Sequence, residues 1–256
     1  MKKQSKFLKV ALRAAKKAEK ILLKYYYKEI RVGIKKDLSP VTIADKEAEK
    51  IIIKTIKKYF PSHGFLAEES GSDIKNKDYL WIIDPIDGTK NYLRRIPLFA
   101  TQIALMKKGE LILGVSNAPV LRELLYAEKG GGAYCNKSKI KVSSVRELKQ
   151  SYLLFGGVEH FAKKNLTKQL ISLIRNTRGH RGIGDFWCYH LLAQGKADIM
   201  IEAYTKIWDV AAAKIIVEEA GGMVTDIKGK EISINTNSFL ATNKKLYQRV
   251  LTLFKK

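Results

Sequence analysis

The chain has 256 residues, 46% of them hydrophobic, with 48 Lys and Arg against 25 Asp and Glu, a formal charge of +23. That is enough for one large core or two moderate ones. Two distant cysteines (Cys135, Cys188) and four scattered histidines give neither a disulfide framework nor a His/Cys metal site, and no apolar run reaches the ~18 residues of a membrane span.

In chain order, the first element is a helix over about residues 4–29. Phe7, Val10, Ala11, Ala14, Ala18, Ile21, Leu22 and Tyr25 recur at helical spacing, with lysines on the other side. Residues 1–60 hold 18 Lys and Arg and only 6 Asp and Glu. The excess reads as the solvated face of an amphipathic helix, one that also helps to collect small anions. Lys6, Lys9 and Arg13 interrupt any secretory signal core, so a cytoplasmic protein is expected.

Lys35 and Lys36 lie on the loop before "SPVTIAD", and Pro40 and Thr42 mark the start of a second helix. Its buried stripe is Ala44, Ala48, Ile51, Ile52, Ile56 and Tyr59, and Pro61 ends it. Strand-like runs follow at 64–67, 79–83, 99–106, 111–118 and 123–128, with turn residues between them. From about residue 150 strands and helices alternate, the helices falling at 160–175, 186–194, 208–220 and 244–254. The pattern gives layers of helix and sheet in two joined parts: an α+β part, 1–145, with most of the acids below, and an α/β part, 146–256.

The chemistry concentrates in "WIIDPIDGT", where an apolar run delivers Asp84 and Asp87 on either side of Pro85. Carboxylates gathered at strand ends repel one another unless a cation compensates. Glu68 and Glu69 end another strand, and Asp209 opens the helix of "IWDVAAAKIIVEEAGG". Singly, Asp87 reads as a turn former, Glu69 as a surface acid and Asp209 as a helix-start acid. Jointly they form an all-oxygen set that suits Mg²⁺ or Mn²⁺ rather than zinc. Gly88 and Thr89 add backbone amides for an anion, Thr89 adds a hydroxyl, and Asp45 is placed to take or orient its proton. The glycines of "EKGGGAY" lack a following Gly-Lys-Ser/Thr and read as a hairpin.

These residues carry a resemblance. "LAEES", "WIIDPIDGTKNY" and "WDVAAAKIIVEEAGG", in that order, with "SPVTIAD" and "GVSNAPVLRELLYAEKGGGAY", resemble the inositol monophosphatase superfamily over nearly the whole chain. The resemblance implies a layered αβαβα sandwich, of the inositol monophosphatase and fructose-1,6-bisphosphatase type, usually a homodimer. It implies a phosphomonoesterase with two or three Mg²⁺, Mn²⁺ being possible, that uses two-metal activation of water. Glu68, Asp84 and the Ile86 carbonyl would hold one ion, and Asp84, Asp87 and Asp209 the second. Gly88 and Thr89, beside Asp87, would meet the phosphate, and Asp45, Thr89 and Glu68 would serve the attacking water.

On the leaving-group side, Glu202 matches a carboxylate that contacts substrate hydroxyls in the family. "GDFW" (Gly184, Asp185, Phe186, Trp187) departs from the small residues of inositol enzymes and is similar to the histidinol-phosphate phosphatase branch. Asp185 and Glu202 would favour an amine-bearing leaving group; alternatively, Asp185 caps a helix and Trp187 is core. The substrate stays open between an amino-alcohol phosphate and a polyol or sugar phosphate. Two other functions compete, a nucleotide 3′-phosphatase and a non-catalytic basic protein that binds RNA or another polyanion. Nucleic acid and membrane are not expected as partners.

Overall fold

The computed structural model of the chain describes residues 4–35, 38–74 and 78–255. Helix α1 (Lys6–Tyr26) starts where the Ser5 hydroxyl accepts a hydrogen bond from the Leu8 amide, satisfying a backbone donor that would otherwise be left over. It buries a stripe of small residues, Ala11, Ala14, Ala15 and Ala18, ahead of Leu22. Strands β1 (Val32–Ile34) and β2 (Pro40–Thr42) pair antiparallel. Helix α2 (Ile43–Lys57) follows with a capping box, in which Thr42 Oγ1 accepts from the Ala44 and Asp45 amides and Asp45 Oδ2 accepts from the Thr42 amide.

The larger sheet has eight strands: β3 (Gly64–Ala67), β4 (Gly71–Asp73), β5 (Tyr79–Asp87), β6 (Ala100–Lys107), β7 (Glu110–Ala118), β8 (Glu123–Glu128), β9 (Ala133–Cys135) and β10 (Ser138–Ile140). Their spatial order is β10-β9-β8-β7-β6-β5-β3-β4, and only β3 and β5 run parallel. Short helix α3 (Thr89–Leu93) leaves the end of β5.

The smaller sheet, ordered β12-β11-β13-β15-β14, draws on β11 (Tyr152–Phe155), β12 (Gly179–Gly182), β13 (Ile199–Glu202), β14 (Gly222–Thr225) and β15 (Phe239–Asn243). Its helices are α4 (Val158–Lys163), α5 (Thr167–Asn176), α6 (Asp185–Ala193), α7 (Ile207–Glu219) and α8 (Tyr247–Phe254).

Three apolar clusters hold these parts in five layers. Ala14, Ala18, Ile52 and Ile56 of α1 and α2 pack on Trp81, Ile83, Ile103 and Val115 from one face of the large sheet. The opposite face, with Ile82 and Ala104, meets Leu192 of α6 and Ala212 and Ile216 of α7, which in turn cover Leu154 and Met200 of the small sheet. Beyond that sheet, Leu153, Ile199 and Ile201 pack on Leu170 of α5 and Val250 of α8. This is the expected αβαβα sandwich.

Several boundaries differ from expectation. The first helix ends at Tyr26, and Tyr27 is 76% exposed. The expected helix 160–175 is two helices, parted where Asn165 takes a left-handed φ of 57°. α7 is not amphipathic: Val210, Ala211, Ala212, Ala213, Ile215, Ile216 and Val217 are all buried. A helix between two sheets must be apolar on nearly every side. Gly114 of β7 allows this close packing, since a Cβ there would lie 2.4 Å from Ile215 Cγ2. Among the described residues, no helix is long and apolar enough to cross a membrane.

Candidate active site

The two aspartates of β5 face one cavity because the strand is not regular between them. In an unbroken strand, residues three apart point to opposite faces. Pro85 has no N–H for the ladder, and the pairing of β5 with β6 shifts register between Asp84 (opposite Gln102) and Asp87 (opposite Ala100). The bulge turns both carboxylates to the same side. Thr101 Oγ1 donates to the displaced Pro85 carbonyl at 2.9 Å, Ile86 N donates to Asp84 Oδ1 at 2.8 Å, and Gln102 Nε2 donates to Asp87 Oδ2 at 3.1 Å.

Both line a cavity of about 400 Å³ together with Glu68, Ile86, Gly88, Thr89 and Asp209, and across it Gly184, Asp185 and Glu202. A larger hollow of about 470 Å³ lies beside the N-terminus of α1, but its lining includes only two acids, Glu110 and Glu128. Asp209 is set by the first turn of α7, where Oδ2 accepts from Thr205 Oγ1 at 3.0 Å and from the Lys206 amide at 2.8 Å. Glu68 and Glu69 sit on the turn after β3, both held by Lys35, whose Nζ lies 2.7 Å and 2.6 Å from one oxygen of each. Lys36 lies outside the described residues.

Thr89 and Asp45 come together as expected, but loosely. Thr89 Oγ1 donates to the Ile86 carbonyl at 2.9 Å, and Asp45 Oδ1 is 3.5 Å away. Gly88 is required by the turn. Its φ is +87°, and a Cβ would stand 2.7 Å from the Leu98 carbonyl oxygen. Gly88→Ala is therefore expected to destabilise the fold by about 1–3 kcal/mol, read as a lower urea midpoint.

The donor set is chemically suited to a hard divalent cation. Burial, then the charges of Glu68, Asp87 and Asp209, push Asp84 well above the ordinary carboxylate range. Burial and the neighbouring Asp185 and Asp209 do the same to Asp87. Burial pushes Asp209 up to about 7 against its capping hydrogen bonds, and Glu69 up to about 7 despite its ion pair with Lys35. Asp45 is raised to about 6, again chiefly by burial. Among the described residues, no three acids, histidines or cysteines are drawn into a finished ligand cage.

The pH dependence follows in sign. A raised acid holds its proton when folded and releases it when unfolded, so stability is present at low pH and falls as pH rises from about 4 to about 7. With chelator, the melting temperature is expected to drop between about pH 5 and pH 7.5, and excess Mg²⁺ should remove most of that drop. A profile with chelator that is flat over this range would contradict the cluster.

The far wall is more varied. Asp185 is the first residue of α6 at φ +53°, following Gly184 at φ +70°. Its carboxyl, raised by burial to about 6, makes no cap to its own helix and accepts from Asn91 Nδ2 at 3.1 Å. Phe186, which with Gly184, Asp185 and Glu202 was expected to contact the substrate, does not. It is fully buried against Ala100 and Ala118, with Trp187 packed alongside, and is absent from the cavity wall. The left-handed start of α6 sends the carboxylate to the cavity and the next ring to the core.

Glu49 and His190 also support the site. Glu49, one helical turn after Asp45 on α2, is buried and accepts from the Glu69 and Ser70 amides at 2.8 Å and 2.9 Å, which fixes the turn bearing Glu68. Two acids four apart on the buried face of α2 were its signal in sequence. His190 of α6 is buried between Ser116 Oγ (2.7 Å from Nε2) and Glu123 Oε2 (3.0 Å from Nδ1), tying the helix that starts at Asp185 to β7 and β8. Scattered histidines carry no such signal.

Known proteins match this chain over most of its length. The sequence model of the Inositol monophosphatase family matches residues 3–256. A protein of Mycobacterium tuberculosis named histidinol-phosphatase is 36% identical over 96% of each chain. One of Thermotoga maritima named fructose-1,6-bisphosphatase/inositol-1-monophosphatase is 37% identical over 82% of this chain and 80% of its own. The crystal structure of extragenic suppressor protein suhB from Bartonella henselae superposes with a TM-score of 0.92 at 33% identity, covering 98% of this chain and 99% of that one.

Proposed function

The chain belongs to the inositol monophosphatase family, and from that premise we propose that it is a Mg²⁺-dependent phosphomonoesterase selecting an amino-alcohol phosphate, with histidinol phosphate its leading substrate. In this reading Glu68, Asp84 and the Ile86 carbonyl hold one ion, and Asp84, Asp87 and Asp209 hold the other. Bound there, the two cations would supply Lewis-acid activation of water and neutralise charge on the departing oxygen. Thr89, whose hydroxyl lies between the Ile86 carbonyl and Asp45, orients the attacking water, with Glu68 beside it. The amides of Gly88 and Thr89, next to Asp87, receive the phosphoryl oxygens. The enzyme acts in this reading as a cytoplasmic homodimer, with Mn²⁺ able to replace Mg²⁺.

One observation supports the amine. Glu202 is buried at 7% exposure on the wall opposite the β5 aspartates, and the groups acting on its charge are further carboxylates, Asp185, Asp209 and Glu159. Burial and these neighbours raise it well above the ordinary range. A Cβ at Gly156 would fall 1.8 Å from Glu202 Oε2, so the carboxylate occupies space that only glycine leaves. A buried acid among acids is costly unless a cation arrives. A substrate ammonium is that cation, whereas a polyol brings none. The relative named histidinol-phosphatase is consistent with this choice.

Phosphate release from histidinol phosphate, inositol 1-phosphate and fructose 1,6-bisphosphate, each with Mg²⁺ and with chelator, tests the reading. A strong preference for the first, abolished by chelator, is expected. Preference for either of the others would return the wall carboxylates to a structural role.

A further inference from the structure

Ser116, His190 and Glu123 stand in the order of a nucleophile, a base and an acid, yet they are not a second reaction centre. Ser116 Oγ lies 2.7 Å from His190 Nε2, and Glu123 Oε2 lies 3.0 Å from Nδ1. Ser116 is 2% exposed and His190 1%, and none of the three lines the acid-walled cavity. A hydroxyl so buried meets no substrate. The protons follow from the surroundings. The hydrogen bond with His190 holds Glu123 below the ordinary carboxylate range, so Glu123 is an ionised acceptor and Nδ1 donates to it. Burial lowers His190, which leaves Nε2 free to accept from the Ser116 hydroxyl.

One end of this linkage is α6, which starts in a costly conformation. Gly184 and Asp185 have φ of +70° and +53°, and no side chain caps the helix. A non-glycine residue held there persists only where its surroundings fix it. Asp185 Oδ2 accepts from Asn91 Nδ2, and Phe186 is buried beside Ala100 and Ala118. One turn further along the same helix face, His190 meets the Phe186 ring edge-on, with centroids 4.9 Å apart and planes at 82°. His190 then supplies the polar hold on the large sheet.

The other end is a strand pair that also serves the opposite wall. Ser116 of β7 lies directly across from Gln102 of β6, and Gln102 Nε2 donates to Asp87 Oδ2 at 3.1 Å. Residues opposite one another in neighbouring strands place their side chains on one face. The pair therefore holds Asp87 directly and, through His190, the helix that begins with Asp185.

We propose that His190 is a positioning residue for selectivity: anchored by Ser116 and Glu123, it fixes the spacing between the two walls and keeps Asp185 at the substrate's leaving group. It acts through Asp185 and touches no substrate. This rests on the amine reading above and adds to it the residues that hold the leaving-group wall in register.

The test measures kcat and KM on histidinol phosphate and inositol 1-phosphate for wild type, Ser116→Ala, Glu123→Ala and Glu123→Gln. Hydrogen exchange of residues 182–190 is followed in the same Mg²⁺-loaded proteins. In Ser116→Ala and Glu123→Ala, KM for histidinol phosphate relative to inositol 1-phosphate should rise about tenfold, with kcat within about twofold. Exchange at 182–190 should quicken, and exchange at 210–217 of α7 should not. Glu123→Gln still accepts from Nδ1 and should keep the wild-type KM ratio. A lower melting temperature with an unchanged KM ratio would overturn the proposal, as would equal losses on both esters. Absence of any preference for histidinol phosphate in wild type would defeat the amine reading. Exchange then decides the positioning alone: unchanged protection at 182–190 defeats it, and quickening confined to that segment upholds it.

Discussion

Replacing Asp84 by asparagine is expected to lower phosphate release roughly a thousandfold or more, about 4 kcal/mol of transition-state stabilisation. Asp84 is 2% exposed, sits at the bulge of β5, and is the carboxylate that both proposed ions would share. Asparagine keeps the local structure, because its Oδ1 can still accept the Ile86 amide that Asp84 Oδ1 accepts at 2.8 Å. It removes the charge. The same change should raise the melting temperature with chelator, since it relieves a buried acid pushed well up by burial and by Glu68, Asp87 and Asp209. Loss of activity with gain of metal-free stability separates a lost metal site from a damaged fold. Undiminished hydrolysis in Asp84→Asn would defeat the two-metal account.

Glu202→Gln carries the second large effect, on selectivity. The substitution keeps size and shape beside Gly156, where there is no room for more. It withdraws the one charge to which a substrate ammonium would pair. Truncating one partner of a buried charge pair costs about 2–3 kcal/mol at the low end, so kcat/KM for histidinol phosphate should fall roughly 30- to 150-fold. Activity on inositol 1-phosphate should change little. Equal losses on both esters would mean that Glu202 shapes the cavity without reading the amine.

The acid cluster was legible because its parts are local. "WIIDPIDGT" joins a buried strand to a proline and a glycine, and each has a mechanical consequence: the bulge at Pro85 and the left-handed turn at Gly88. The layers were legible for the same reason, since periodicity alone separates α1 and α2 from the strands. Residues acting across the chain were not. Nothing near Lys35 announces Glu68 and Glu69 as partners, and His190 meets Ser116 and Glu123 only through the packing of α6 on β7 and β8. Phe186 misled because a positive φ at Asp185 decides which of two neighbours faces the cavity, and an aspartate there does not reveal its φ. The break at Asn165 was hidden likewise, one residue in a left-handed conformation dividing a continuous polar-apolar pattern.

The most direct measurement is a Mn²⁺ titration of the wild-type protein and Asp84→Asn, followed by electron paramagnetic resonance. Wild type should bind at least two ions and show the exchange-coupled signal of a pair sharing one carboxylate. In Asp84→Asn that signal should vanish while the fold persists. A single isolated ion in wild type, or a coupled pair surviving in Asp84→Asn, would contradict the two-metal site.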